Sequence, residues 1–183
     1  GGQCDIHEAS MFHYEVPTIE SIEQPAACTT RVRTTACGSP TQGGFHVVLR
    51  GQNLGTETTT KATVTIGGMQ CCTASSYLDG QPVCSQSCEC CVRSHDHEEM
   101  VISAPVGVGM DVPIVVSYHS YQGWRIEKKL HYDKPYVNFI NPQLGNANGG
   151  KVQIHGINFG NVFGAGNVSS VFLGGLECTD ITW

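Results

Sequence analysis

The chain has 183 residues, of which 14% are charged and 40% are hydrophobic, and its formal net charge is -6 at pH 7. This composition argues against a disordered chain, which would have dense charge and few apolar residues. It also argues against a nucleic-acid binder, which needs a basic surface to neutralise phosphates. No apolar run reaches the roughly 18 residues that a membrane-spanning helix requires.

The cysteine content predicts a compartment. Ten cysteines in a chain of this length point to an oxidising, extracellular location, because cytosolic reductants would keep them as thiols. The sequon Asn167-Val168-Ser169 fits that location and marks Asn167 as an N-glycan acceptor. The sequence begins Gly1-Gly2-Gln3-Cys4, with neither a start methionine nor a signal-peptide core, so we expect a processed, trimmed or longer protein.

In chain order, short segments of alternating apolar and polar residues are separated by glycine, proline, asparagine and aspartate. Val64 and Ile66 precede one Gly-Gly pair, and Val171 and Leu173 precede another. Two longer segments place apolar side chains on one face: Val112, Ile114, Val116 and Tyr118 in the first, and Ile126, Leu130 and Tyr132 in the second, with Lys128 as an exception. A period of two predicts strands, and their spacing predicts an all-β sandwich.

An internal repeat is the strongest signal, because three sequence blocks occur twice in the same order. The matching blocks are VPTIESIEQP (16–25) and KPYVNFINP (134–142), GGFHVVLRGQNLG (43–55) and GGKVQIHGINFG (149–160), and VTIGGMQC (64–71) and VFLGGLEC (171–178). A fourth match, MFHYEVP (11–17) with KLHYDKP (129–135), extends the repeat backwards.

The repeat predicts the domain organisation. Residues 1–14 are expected to be the last strand of a preceding repeat, and residues 15–133 one complete repeat. Residues 134–183 are expected to be the N-terminal half of a further repeat. Compared with the second copy, the complete repeat carries a cysteine-rich insertion at residues 72–97.

These blocks resemble the IPT/TIG domain, an immunoglobulin-like fold found in plexins, Met-type receptors, fibrocystin-like proteins and some transcription factors. The matching residues of the first copy are Pro17, Ile19, Ile22, Pro25, Gly43, Gly44, Gly51, Asn53, Leu54, Gly55, Gly67, Gly68, Cys71, Pro105, Leu130 and Tyr132. Those of the second copy are Pro135, Ile140, Pro142, Gly149, Gly150, Gly156, Asn158, Phe159, Gly160, Gly174, Gly175 and Cys178. The resemblance implies an all-β, disulfide-rich chain of tandem immunoglobulin-like sandwiches.

The Gly-x-Asn-x-Gly segments at 51–55 and 156–160 are predicted to be turns. Glycine reaches positive φ without strain, and asparagine tolerates the left-handed region. A phosphate-binding loop would need a following helix and a lysine, and the sequence predicts neither.

The resemblance also bears on the disulfides. In the family, the cysteine after Gly-Gly is usually paired with a cysteine just before the proline that corresponds to Pro105. This chain has no cysteine there, so we expect Cys71 to find its partner within Cys72–Cys91. Cys178 has no such partner inside its own copy.

Zinc binding is the alternative for the cysteine-rich insertion, where four cysteines lie close to His95 and His97. Zinc commonly takes its ligands from two well-separated pairs, whereas these cysteines are crowded, so structural disulfides are favoured. Catalytic thiols are disfavoured because no isolated C-x-x-C lies near a βαβ unit. We therefore expect no metal, no cofactor and no enzymatic activity.

The cysteines divide into two groups. The disulfide candidates are Cys28, Cys37, Cys71, Cys72, Cys84, Cys88, Cys90 and Cys91. Eight cysteines pair in 105 ways, which the sequence does not resolve, although Cys28 and Cys37 would close a short local loop. Cys4 and Cys178 remain for bonds to neighbouring repeats, to another subunit or to each other.

Two polar segments could carry further function. The run at His95–Glu99 is either a divalent-cation site or, as we expect, a solvated loop before the strand at Met100–Ser103. The loops at Thr56–Thr60 and Asn167–Ser170 occupy the same place in the two copies. They are either a shared glycan-bearing face or two ordinary polar loops.

The function expected from these features is structural: an extracellular fibre, coat or adhesive stalk built of tandem repeats. The partners would be neighbouring repeats or subunits, in a homo-polymer or a larger chain. The alternative is the stalk of a receptor ectodomain, which a transmembrane helix in the flanking sequence would reveal. The transcription-factor branch of the family is disfavoured by the low count of lysine and arginine, 10 in all.

Overall fold

The computed structural model describes most of the chain. The described residues are 15–25, 41–56, 62–74, 76–78, 81–85, 87–118, 124–143, 145, 148–160 and 170–179. Within them the secondary structure is entirely β, with fifteen strands, which confirms the all-β prediction.

The first sheet has five strands in the order β1-β2-β9-β8-β5. Its strands are β1 (Thr18–Glu23), β2 (His46–Gln52), β5 (Cys72–Thr73), β8 (Cys91–His95) and β9 (Glu99–Ser103). All neighbours pair antiparallel except β5 and β8, which are parallel.

The second sheet has four antiparallel strands in the order β11-β10-β3-β4. They are β3 (Ala62–Ile66), β4 (Met69–Gln70), β10 (Val112–Tyr118) and β11 (Trp124–Leu130). Three antiparallel pairs complete the described strands: β6 (Ser76–Leu78) with β7 (Gln81–Val83), β12 (Tyr136–Asn141) with β13 (Gln153–Ile157), and β14 (Phe172–Leu173) with β15 (Leu176–Glu177).

One hydrophobic core joins the two large sheets. Val47 and Leu49 of the first sheet belong to the same buried cluster as Ile114, Val116 and Tyr118 of the second. These three residues of β10 are at most 1% exposed, as the alternation in the sequence predicted. Burying each aliphatic side chain of this cluster stabilises the fold by roughly 1.5–3 kcal/mol.

Tyr132 closes one end of the core. Its hydroxyl donates a hydrogen bond of 2.9 Å to the Pro105 carbonyl, and its ring meets Phe45 edge-on at 5.7 Å. Burial raises the pKa of Tyr132 to about 12, because the phenolate would lose its hydration.

The predicted insertion does not lie wholly outside the sandwich. Its last part forms β8, which pairs with β9 through Val92↔Ile102 and buries Cys91 and Val92. The sequence predicted a polar loop at His95–Glu99, but β8 continues through His95 and β9 begins at Glu99, so the turn itself is shorter.

Candidate functional site

Three disulfides cross-link the segment between Cys71 and Cys91. They join Cys71 to Cys90, Cys72 to Cys88, and Cys84 to Cys91, with Cα–Cα distances of 4.4, 6.1 and 6.1 Å. Cys71 and Cys72 are therefore both bonded to the short segment 88–90, whereas the adjacent Cys90 and Cys91 are bonded to Cys71 and Cys84. A sulfur in a disulfide is neither a thiolate nucleophile nor a zinc ligand.

The backbone supports this arrangement. Cys72 N donates to the Cys90 carbonyl at 2.9 Å, and Ala74 N donates to the Val92 carbonyl at 3.0 Å. Cys71 and Cys90 are 8% and 1% exposed, so the bond between them belongs to the core. Cys71 thus has its partner inside the insertion, at Cys90.

Several predicted residues fall outside the described part of the chain. They are Cys4, Cys28, Cys37, the sequon asparagine Asn167 and residues 57–60 of the threonine-rich loop.

The His95–Glu99 run contains the end of β8, the turn at residues 96–98 and the start of β9. Asp96 Oδ1 accepts hydrogen bonds from the backbone N–H groups of Glu98 and Glu99 at 2.9 and 2.7 Å, which lower the pKa of the Asp96 carboxyl. The His95 Nε2–H group donates to the Leu54 carbonyl at 2.8 Å, and Leu54 N donates to the His97 carbonyl at 3.0 Å. The turn is therefore fastened to the neighbouring Gly-x-Asn-x-Gly segment.

Among the residues that the structure describes, no group of three or more histidine, cysteine, aspartate or glutamate side chains is arranged to hold a metal ion. In the same residues no helix is long and apolar enough to cross a membrane.

The two copies adopt the same local backbone conformations. Asn53 and Asn158 have φ angles of 57° and 60°, in the left-handed region that the predicted turns require. A Cβ atom on Gly51 would collide with the Thr18 carbonyl, and one on Gly156 with the Tyr136 carbonyl. Glycine is needed at both positions because the backbone of the first strand of each copy lies too close to leave room for a side chain.

The register of the first two strands is also shared. In the first copy Ile19 lies opposite Gly51 and the ladder shifts before Ser21. In the second, Val137 lies opposite Gly156 and the ladder shifts at the corresponding step, before Phe139. The register therefore matches the two copies residue by residue along these strands.

Cys178 stands where Cys71 stands in the first copy. Cys71 N donates to the Val64 carbonyl at 2.8 Å, and Cys178 N donates to the Val171 carbonyl at the same distance. Unlike Cys71, Cys178 is a free and partly exposed thiol among the described cysteines.

The inward-facing residues of the second copy form an exposed apolar surface, here called the inner face. Ile19 is 7% exposed, whereas its counterpart Val137 is 47% exposed; Val47 is 0% exposed, whereas Val152 is 36% exposed. In the first copy β9 borders β2 and the second sheet covers the core positions. Among the described residues, no strand borders β13 in the way that β9 borders β2.

The opposite side of the β12–β13 pair, here called the outer face, was missed by sequence reasoning. Its cross-strand pairs are Tyr136↔Ile157, Phe139↔His155 and Asn141↔Gln153. The Phe139 and His155 rings stack with centroids 4.2 Å apart and planes 14° apart. Comparing outward positions between the two copies would have found this face, because the first copy carries polar or charged residues at most of them.

The equivalent face of the first copy carries ion pairs. Arg50 Nε lies 2.7 Å from Glu23 Oε1, and Arg50 Nη1 lies 2.5 Å from Glu99 Oε2. The hydrogen bond with Glu23 and the two carboxylate charges raise the pKa of Arg50. All three side chains are solvent-accessible, so these pairs add little stability.

Comparisons with known proteins give no identification. No protein-family model matches the chain, and no curated protein matches it.

Proposed function

We propose that this chain is part of a non-catalytic, extracellular structural or adhesive protein. Tandem IPT/TIG repeats would build it into a fibre, coat or stalk. The observation that carries the proposal is the recurrence, along one chain, of the same strand register, left-handed turns and cysteine position. Repetition of one unit is how proteins make extended, regular assemblies.

The cysteine chemistry supports an extracellular site of action. Six cysteines of one copy form three disulfides, each of which involves a residue in or beside a strand of the first sheet. Such bonds persist in oxidising compartments and are reduced in the cytosol. They brace a sandwich that would bear mechanical or proteolytic stress outside the cell.

The inner face supports association. An apolar surface of this kind beside an unpaired strand edge favours the addition of another strand. In the first copy β9 pairs antiparallel with β2 through Val48↔Val101 and Leu49↔Met100. We infer that a strand from a neighbouring repeat or subunit pairs with β13 in the same way. The oxidants of an extracellular compartment would then convert the Cys178 thiol and a cysteine thiol of the incoming segment into a disulfide like Cys71–Cys90.

Immunogold labelling of the source cells tests the proposed function. Antibodies raised against this chain should label extracellular fibres, a surface coat or a stalk. Labelling confined to the cytosol would refute the proposal.

Light scattering of the purified chain tests the strand-addition form of association. Val137→Asp should reduce self-association, whereas Val16→Asp should not, although the two valines are similarly exposed at 47% and 45%. A wild-type chain that stays monomeric at every concentration would eliminate donation by a second copy.

A further inference from the structure

The outer face of the second copy differs from its counterpart at every cross-strand pair. The first copy has Thr18↔Gln52, Ser21↔Arg50 and Glu23↔Val48, whereas the second has Tyr136↔Ile157, Phe139↔His155 and Asn141↔Gln153. Two small and two charged side chains (Thr18, Ser21, Arg50 and Glu23) are thus replaced by three rings and an amide (Tyr136, Phe139, His155 and Asn141). The remaining two positions change from Gln52 and Val48 to Ile157 and Gln153.

This difference is not a consequence of an uncovered core. The counterparts of Tyr136 and Phe139, Thr18 and Ser21, are exposed in the first copy even though its core is covered by a second sheet. The outer face would therefore face solvent in a complete sandwich too. Phe139 is nevertheless 53% exposed and Tyr136 is 39% exposed, so two large aromatic side chains lie in solvent where the first copy has small polar ones.

The outer face is also electrically neutral. With histidine neutral, none of its six residues has a formal charge, whereas the equivalent face of the first copy carries Glu23 and Arg50. Asn141 and Gln153 lie opposite each other next to the stacked rings and are exposed, so their amides offer both hydrogen-bond donors and acceptors. The hydroxyl groups of a neutral ligand match these amides, whereas an ionic ligand would find no opposite charge on this face.

The area of the outer face distinguishes a small ligand from a folded protein partner. Strands of six and five residues make a strip of about 20 Å by 10 Å, or roughly 200 Å². A stable protein–protein interface buries about 800 Å² on each partner, so the strip is too small to hold a second folded chain by itself. It is large enough for two or three sugar rings.

We propose that the outer face of the β12–β13 pair binds neutral pyranose units of a glycan. The C–H groups on one face of a sugar ring would lie against the aromatic ring of Phe139 or Tyr136, whose π faces carry partial negative charge. The sugar hydroxyls would exchange hydrogen bonds with the Asn141 and Gln153 amides. This site goes beyond the proposed structural function and does not depend on it.

Affinity electrophoresis of the full chain tests the site, in native gels that contain soluble neutral glucan, mannan, galactan or xylan. At least one polysaccharide should retard the wild-type chain, and Phe139→Ala should weaken that binding at least tenfold. Phe172→Ala is the matched control, because Phe172 is similarly exposed at 59% but lies on β14. This variant should bind as the wild type does.

A second variant guards against misfolding. Tyr136→Thr, Phe139→Ser and His155→Arg together install the residues that the first copy holds at the same positions. The combined variant should keep the thermal unfolding temperature within a few degrees and lose binding. NMR titration with hexasaccharides of the retarding polysaccharide should move the amide signals of β12 and β13 in the wild type.

Three outcomes would overturn the proposal. They are a wild-type chain that none of the four polysaccharides retards, equal loss of binding in the Phe139 and Phe172 variants, and self-association that the outer-face variants abolish. The last outcome would make the face a protein contact.

Discussion

The side-chain amide of Gln24 forms hydrogen bonds with both the backbone carbonyl and the backbone N–H group of His131, although the two residues lie 107 positions apart. Gln24 Nε2 donates to the His131 carbonyl at 3.1 Å, and His131 N donates to Gln24 Oε1 at 3.1 Å. Gln24 directly follows β1 and His131 directly follows β11. The Gln24 amide therefore bonds His131 as the backbone of a neighbouring strand would, and it connects the end of β1 to the end of β11.

Gln24→Ala is expected to lower the free energy of unfolding by about 1–2 kcal/mol, since each hydrogen bond contributes about 0.5–1.5 kcal/mol. Chemical denaturation measures this change. Gln52→Ala is the control, because the Gln52 amide bonds Glu20 within the first sheet and ties no distant segments. If both substitutions lowered the free energy of unfolding equally, the Gln24 bridge would contribute no more than a hydrogen bond within one sheet.

Removing the buried disulfide should cost more stability than removing its neighbour. The Cys71–Cys90 and Cys72–Cys88 bonds span 19 and 16 residues, so each loop closure contributes about 3 kcal/mol. Replacing Cys71 and Cys90 by alanine also removes sulfur atoms from the core, whereas Cys72 and Cys88 are partly exposed. Thermal unfolding of the two double variants compares them, and a larger loss for Cys72 and Cys88 would contradict this ranking.

Gly51→Ala should destabilise the fold by about 1–3 kcal/mol, because its new methyl group would collide with the Thr18 backbone and push β1 away from β2. Gly145→Ala is the matched control, since its Cβ would meet no described atom within 4 Å and its φ is not in the left-handed region. The midpoint of urea unfolding reports both. If Gly51→Ala left the urea midpoint unchanged, β1 and β2 would not lie as close together as described.

The stability of the chain should fall between pH 10 and 12 through Tyr132. Its pKa in the folded state is about 12, against about 10 for an unfolded tyrosine. In this window the unfolded chain releases the phenolic proton while the folded chain keeps it, so rising pH favours unfolding. This contribution is fully present below pH 10 and is lost as the pH rises through 12.

Tyr132→Phe supplies the comparison for that pH dependence. The variant loses the hydrogen bond to Pro105 and should be less stable at pH 8. Its free energy of unfolding should then decline less steeply above pH 10 than that of the wild type. Parallel pH profiles for the two proteins would exclude Tyr132 as the cause.

Local features of the chain were predictable from the sequence. The alternation at Ile114, Val116 and Tyr118 predicted one buried strand face, because side chains of a strand point alternately to its two sides. The Gly-x-Asn-x-Gly segments predicted turns, and Asn53 and Asn158 adopt the left-handed conformation there. Each prediction depends only on residues near each other in the chain.

Tertiary structure alone decided the features that depend on distant residues. Which of the 105 pairings the cysteines adopt depends on which strands meet. The strand β5 pairs with β8 in parallel, which brings Cys71, just before β5, beside its disulfide partner Cys90, just before β8. The same holds for β8, which looked like part of an insertion but fills the core with Val92.

The sequence by itself determined strands, turns and the repeat, because periodicity and backbone preferences are local. It did not determine what covers each strand. Val137 and Ile19 are equivalent in sequence and register, yet one is 47% exposed and the other 7%. Burial is a property of the neighbours that a side chain meets in space, and only the folded chain specifies them.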